Sequence, residues 1–304
     1  MKIQYKSMLR ILPAAVIISC VLVSCSKDNP NNLPSVSPGD FSGKIEGFDS
    51  SGEIAPDHLI AYWSFNGTEA ESFSGIAPTV KSNDSYIDNG VRGKGLKLNN
   101  GYLYYPTQIP ALASPSFTSF TVSEWVQILN NGSTPTLTFT LARPGQFWGN
   151  INFLLETGQH PASDTSDLVV HPDYADVNGG TQDNLNANWN PDGPNTYKSP
   201  TIGANKWVNL MITFDSASVT FQVYANGQRI GTTSYQQRGT AFFKNTVPNE
   251  VIIGGWYNNI PGKQVSSDTW TVPMVGSIDE IRIYNTVLGA ADIKALYELG
   301  AAGK

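Results

Sequence analysis

The stretch Gly276-Ser277-Ile278-Asp279-Glu280-Ile281-Arg282-Ile283-Tyr284-Asn285 decides the reading of the fold. It alternates as a β-strand does, with Asp279, Ile281 and Ile283 on one face and Ile278, Glu280, Arg282 and Tyr284 on the other. Directly after it, Ile293, Leu296 and Tyr297 recur at three- and four-residue spacing, one face of a short helix. Upstream, the apolar runs are likewise short. Leu59 to Phe65 ends at Asn66-Gly67, and Phe120 to Gln127 alternates with Phe120, Val122 and Val126 on one side. Gly93 to Gly101 and Tyr102 to Tyr105 read as two strands around an Asn-Gly turn. Lys206 to Phe214, Val219 to Ala225 and Val251 to Gly255 complete the set, and Asn226-Gly227 marks a hairpin because both turn positions take positive φ. No internal repeat and no long helix interrupt this pattern, and 28 Gly and 19 Pro supply the turns. The pattern predicts an all-β chain: two antiparallel sheets in a sandwich, closed by one short helix.

The N-terminus reads as an address. Lys2, Lys6 and Arg10 precede an apolar run from Ile11 to Val23 that is too short to span a bilayer comfortably. Its end, Leu22-Val23-Ser24-Cys25, resembles a bacterial lipoprotein lipobox, which implies a signal peptide over residues 1–24 and acylation of Cys25. Several acyl chains on one residue give stable anchoring. The chain has two Cys; with Cys20 leaving and Cys25 lipidated, no thiol remains for a disulfide, a zinc site or a nucleophile. Ser26-Lys27-Asp28 resembles the charged tag of surface lipoproteins of the Bacteroidetes, without that tag's second acid. The implied location is the outer membrane, at the cell surface or on its periplasmic side. Residues 25–50, rich in Ser, Pro, Gly and Asn, read as a flexible tether, leaving residues 51–304 as one large β domain. Loss of the three N-terminal cations deepens the net charge from −6, so nucleic acid is excluded as a partner.

In order, Tyr62-Trp-Ser-Phe65, Gly93-x-Gly-Leu-x-Leu98, Phe120-Thr-Val-Ser-x-Trp-Val126, Trp207-x-Asn-Leu-x-x-Thr-Phe-Asp215, Tyr224-x-Asn-Gly227 and the closing Gly276 to Tyr284 block are similar to the LamG-like, concanavalin A-type jelly rolls over about residues 57–300. The resemblance implies a jelly-roll sandwich and, most often, binding without chemistry: a carbohydrate-binding lipoprotein that captures a polysaccharide for glycan-uptake partners. Glycosidases, polysaccharide lyases and protein-binding adhesion modules share the fold, so those readings stay open. The laminarinase-like Glu-x-Asp-x-x-Glu strand is absent, and His58, His160 and His171 are scattered, with His160 and His171 available to a lyase.

Two stretches exceed what a compact member needs, Leu141 to Asn205 and Trp256 to Met274. Long loops on a rigid sandwich are where binding sits, so Trp148, Trp189, Trp256, Tyr257 and Trp270 are the candidate ligand-binding residues, their rings suited to stacking on sugars. Trp63, Trp125 and Trp207 fall in strands and read as packing. Asp279, on the face of Ile281 and Ile283, must be paired, hydrogen-bonded or bound to a cation. The resemblance adds a rim calcium ion there, with Asp84 and its neighbours Asn83 and Asp88 as co-ligands, against capping of backbone amides. Glu124, on the face of Phe120 and Val122, is a second carboxylate in an apolar position.

Overall fold

The computed structural model describes residues 43–187, 191–192 and 197–304. Among the described residues the strands, in chain order, are β1 (Leu59–Trp63), β2 (Val80–Ile87), β3 (Gly95–Tyr105), β4 (Phe120–Gln127), β5 (Thr136–Ala142), β6 (Ile151–Leu155), β7 (Asp173–Ala175), β8 (Thr181–Asp183), β9 (Val208–Asp215), β10 (Thr220–Ala225), β11 (Gln228–Arg229), β12 (Glu250–Ile253) and β13 (Met274–Tyr284). The helix α1 (Ala290–Ala301) follows. All pairings are antiparallel, in the order β11-β10-β9-β4-β13-β3-β12-β5-β6-β7-β8, with β1 on β13 and β2 on β3. The array folds over at β3. Its first half pairs with β13 and its last residues with β12, which makes two facing layers.

The layers meet through aromatic contacts: Trp63 of β1 on Phe139 of β5 at 6.1 Å, and Phe214 of β9 on Tyr174 of β7 at 4.6 Å. The fold in β3 comes from Asn100, at φ 53, followed by Gly101. A Cβ on Gly101 would lie 2.4 Å from the Ser82 carbonyl, so β2 can follow the bend only past a glycine. Here the structure departs from the turn expected at this Asn-Gly pair. Only Asn100 takes positive φ, so the chain bends without reversing. Asn226-Gly227 has both residues at positive φ, 50 and 74, and closes the β10–β11 hairpin as expected.

The closing strand also departs from strict alternation. Glu280 sits at φ 51, and the register slips between Asp279 opposite Trp125 and Arg282 opposite Ser123. This β-bulge places one extra residue on β13. Ile278, Ile281 and Ile283 therefore all reach the inter-sheet core, and Asp279 does not share the face of Ile281. It shares the outer face with its cross-strand partner Trp125, whose ring stacks on Tyr297 of α1 at 5.8 Å.

Two boundaries differ from expectation. Ile45 and Phe48 pack with Ile293, Leu296 and Leu299 of α1, and the Ser51 amide donates to the Lys304 carbonyl at 2.9 Å. The folded unit thus takes in residues 43–50, which composition alone assigned to the tether. The long segment from Leu141 to Asn205 contributes β6, β7 and β8, so it extends one sheet and is not a bare loop.

Glu124 lies in the core between the layers, fully buried, opposite Leu210. Its Oε1 is 2.5 Å from Thr138 Oγ1 on the facing sheet, and Thr138 Oγ1 is 3.0 Å from the Phe153 carbonyl. One hydroxyl proton cannot serve both. A protonated Glu124 donating to Thr138 resolves this, leaving the Thr138 hydroxyl to donate to Phe153. Burial pushes the carboxyl up to about 8, against the pull of Thr138. Because the folded state keeps a proton that the unfolded chain releases above its ordinary value, stability falls as pH rises from about 4.5 toward 8. Glu124→Gln is expected to raise unfolding free energy at pH 8 by roughly 1–3 kcal/mol and leave it nearly unchanged at pH 4.5. Urea unfolding at both pH values checks this; equal effects at the two would contradict it.

Candidate functional site

The outer face of the β4–β13 layer is only partly covered. α1 lies over Trp125, Met211 and Tyr284, where Gly300 allows close approach: a Cβ there would sit 2.6 Å from the Trp125 ring. Beyond the helix, one cross-strand row runs Ser85, Lys97, Ser277, Gln127 over β2, β3, β13 and β4, and the next pairs Asn99 with Val275. Side chains in such rows share one face. Of these, Lys97, Asn99, Ser277, Val275 and Gln127, joined by Ile87 of β2, floor an open cleft of ≈ 730 Å³, walled by residues 128–136 between β4 and β5, by Ala204 and Asn205 before β9, and by Val272 and Pro273 before β13.

The lining is rich in amides: Asn89, Asn99, Asn100, Asn130, Asn131 and Asn205, with Gln127. Leu129 and Val275 add exposed apolar surface, Val275 being 56% accessible. Two lining side chains are buried with a polar atom lacking a partner, Gln127 Nε2 and Asn130 Oδ1. The other end of Asn130 is committed, donating to the carbonyls of Asp164 at 3.0 Å and Asp167 at 2.6 Å. Among the described lining residues there is no Asp, Glu or His. An amide presents a donor and an acceptor together, the pairing that a sugar hydroxyl satisfies. Amides over a small apolar floor suit a ligand of alternating hydroxyl and C–H faces.

The expected aromatic residues lie elsewhere. Trp256 is fully buried, Tyr257 nearly so and Trp148 partly buried. Trp256 contacts Phe147, Trp148 and Trp270 at 5.5, 5.8 and 4.9 Å, forming with Leu137 and Leu154 a small core under the loops. Tyr257 packs with Tyr102, Tyr104 and Ile252 on the outer face of the β12–β5 layer. The expectation of ring faces turned to ligand fails for Trp256 and Tyr257 because long loops bury their own aromatics to stay folded. Of the four described candidates, Trp270 is the exposed one, at 36%. Trp189 and Cys25 lie outside the described residues.

The two acids expected to share a cation are separately engaged. Asp279 is fully buried and accepts from the amides of Val91 at 2.7 Å and Arg92 at 3.5 Å through Oδ2, and from its neighbour Glu280 at 2.9 Å through Oδ1. It caps the loop before β3. Burial, with the adjacent Glu280, pushes its carboxyl up to about 8 against these amides. Asp84 pairs with Lys81 at 3.2 Å. Among the described residues, the His, Asp and Glu side chains close enough to share a metal ion are His160, Asp164 and Asp167. His171 is clamped on both ring nitrogens, Nδ1 to Glu156 at 2.8 Å and Nε2 to Asp183 at 2.9 Å. Burial alone would lower it, but those carboxylates raise it to about 9, so it is an imidazolium with no free lone pair for base catalysis.

The model of the concanavalin A-like lectin/glucanases superfamily matches residues 99–294. The chain belongs to that superfamily. No curated protein sequence matches it. Solved structures of similar architecture include domain 4 of an extracellular GH43 arabinanase from Geobacillus stearothermophilus in complex with arabinotriose, at TM-score 0.48 and 19% identity, covering 79% of this chain and 98% of that one. The botulinum neurotoxin serotype D ligand-binding domain in complex with N-acetylneuraminic acid has TM-score 0.49 and 15% identity, with 82% and 52% covered. The Trypanosoma rangeli sialidase has TM-score 0.48 and 16% identity, with 80% and 33% covered. The chain thus spans about half of the toxin chain and a third of the sialidase. Each is a likeness of fold.

The cleft was not legible as a unit because its amides come from separated, individually ordinary segments. One signal was present: Ser277, Gln127 and Lys97 are polar at outward positions of interior strands. The aromatic cluster yields a direct prediction. Trp256→Ala should cost about 3–5 kcal/mol in chemical denaturation, the range for emptying a buried aromatic site, while Trp270→Ala should cost under about 1 kcal/mol. Equal small losses for both would mean that Trp256 is not core.

Proposed function

We propose that this protein is a lipid-anchored, non-catalytic carbohydrate-binding protein that holds a glycan in the cleft beyond α1. The observation that carries the reading is the cleft itself: Asn89, Asn99, Asn100, Asn205 and Gln127 with two exposed aliphatic side chains over a four-strand floor, while Asn130 and Asn131 brace the wall through bonds to Asp164, Asp167, Thr134 and Thr157. Membership of a lectin and glucanase superfamily agrees with a sugar ligand. Hydrolysis of a glycosidic bond ordinarily needs two carboxyl groups flanking it, and the described lining supplies none. Binding without chemistry is what such a surface does. The anchor is Cys25, with residues between it and the folded unit as the tether, and the proposed location is the outer membrane, facing outward, beside partner glycan-uptake proteins. A structural calcium ion belongs to the same reading, and the chelator arm of the assay tests it.

Affinity electrophoresis of the full chain in detergent, across neutral and acidic polysaccharides and with calcium or chelator, tests this. Asn99→Ala and Asn205→Ala should each weaken retention about 3- to 10-fold, the loss of one hydrogen-bonding group worth ~1 kcal/mol. Leu129→Asp should weaken it similarly, and Trp270→Ala should leave it unchanged. Retention lost in Trp270→Ala but kept in the cleft variants would move the site to the aromatic loops. In cells, Cys25→Ala should shift the protein out of the membrane fraction.

A further inference from the structure

This inference rests on the glycan-binding reading of the cleft and narrows it to a class of ligand. The chain carries 25 acidic and 19 basic residues, yet the described lining contains no carboxylate and one cation, Lys97. Lys97 is exposed and enters no ion pair among the described residues. Lys94 reaches Asp88 at 3.4 Å, Lys81 reaches Glu69 at 3.0 Å and Lys44 reaches Asp49 at 3.3 Å, while Lys198 and Lys244, exposed and likewise without an ion pair among the described residues, lie outside the cleft lining. An unmatched ammonium in a cleft free of acids marks a place where the ligand brings the negative charge.

The neighbours of Lys97 are donors too. Lys97 and Gln127 flank Ser277 in the same cross-strand row, so the ammonium, a hydroxyl and an amide follow one another across three strands at about 4.8 Å per strand. Gln127 Nε2 is buried and has no acceptor among the described residues, a cost that an incoming oxygen removes. A row of donors beginning at a cation fits a planar carboxylate on a sugar ring. Densely sulfated chains are held by runs of Lys and Arg, and a single lysine is not such a run.

We propose that the cleft takes a carboxylate-bearing polysaccharide, a polymer of uronic acid units, and that Lys97 selects it by pairing with one carboxylate while Ser277 and Gln127 donate beside it. The charge-assisted bond is the strong one in the set. The remaining amides read hydroxyls and do not discriminate acidic from neutral sugars.

The test is calorimetric titration of the full chain in detergent with polygalacturonate, with the same polymer after reduction of its carboxyl groups, and with heparin and dextran. The expected result is binding of polygalacturonate that weakens as sodium chloride rises, at least about tenfold weaker binding of the reduced polymer, and an equal loss in Lys97→Gln with recovery in Lys97→Arg. Lys97 is exposed on β3, so its variants keep the unfolding midpoint of the parent, which the same samples verify. Equal binding of the native and reduced polymers, preference for heparin, or polygalacturonate binding indifferent to Lys97→Gln but weakened by Asn99→Ala would overturn the inference while leaving the glycan site standing. Absence of binding to every polymer would overturn both.

Discussion

The architecture turns on one extra residue, Glu280, in the strand that touches β1, β3 and β4 at once. The bulge lets Ile278, Ile281 and Ile283 reach one core although their spacing breaks a period of two. It also turns two carboxylates to the outer side, where each has work to do. Asp279 holds the amides of the loop before β3, and Glu280 accepts from Tyr62 at 2.7 Å and from Arg282 at 2.6 Å. Arg282 in turn binds the Ser51 carbonyl and hydroxyl, at 2.9 and 3.0 Å, and its guanidinium lies 4.7 Å over the Tyr62 ring. Removing one member would leave buried charge unmatched, a loss of about 3–5 kcal/mol in comparable networks. Residues 43–51, which form an N-terminal strap, β1 and the loop leading to β3 are thereby fixed to β13.

The same face is divided between packing and binding. α1 and the strap cover the part bearing Trp125, Met211 and Tyr284 with apolar contacts. Past the helix end the outward positions become Ser277, Gln127, Lys97 and Asn99 on the floor of the cleft, Ser277 and Gln127 buried and Lys97 and Asn99 exposed. The opposite layer shows the alternative. Its outer face at Tyr104 and Ile252 is roofed by the Trp256 to Met274 loop, and Trp256 and Tyr257 are consumed in packing that loop down. A long aromatic loop and an open polar face are two solutions to one problem, namely what to do with the outer side of a sheet. Only the open face leaves surface for a ligand.

This contrast explains what could be read from the sequence. The sandwich, the closing strand and helix, and the Asn226-Gly227 hairpin follow from local rules, and local rules were enough. Asn100-Gly101 obeyed the same rule only in its first residue, so β3 bends where a turn was expected. The bulge escaped because Asp279-Glu280 looks like ordinary alternation until the register with β4 is known. Gly- and Asn-rich surroundings point Trp256 and Tyr257 toward a ligand, but burial is set by which sheet face the loop crosses. That is a tertiary fact. Glu124 was visible as an oddity, and its partner Thr138, fourteen residues away on the facing layer, was not. The cleft needs the pairing of β2, β3, β13 and β4 before its residues become neighbours at all.

Hydrogen-exchange footprinting of the full chain in detergent, with and without a bound polysaccharide, tests the central claim that the uncovered face beyond α1 is the binding surface. The account predicts ligand protection concentrated in peptides covering residues 97–100, 127–134 and 272–277, with the 143–149 and 256–262 peptides unchanged. Protection confined to the latter two segments, with the cleft peptides unmoved, would contradict it.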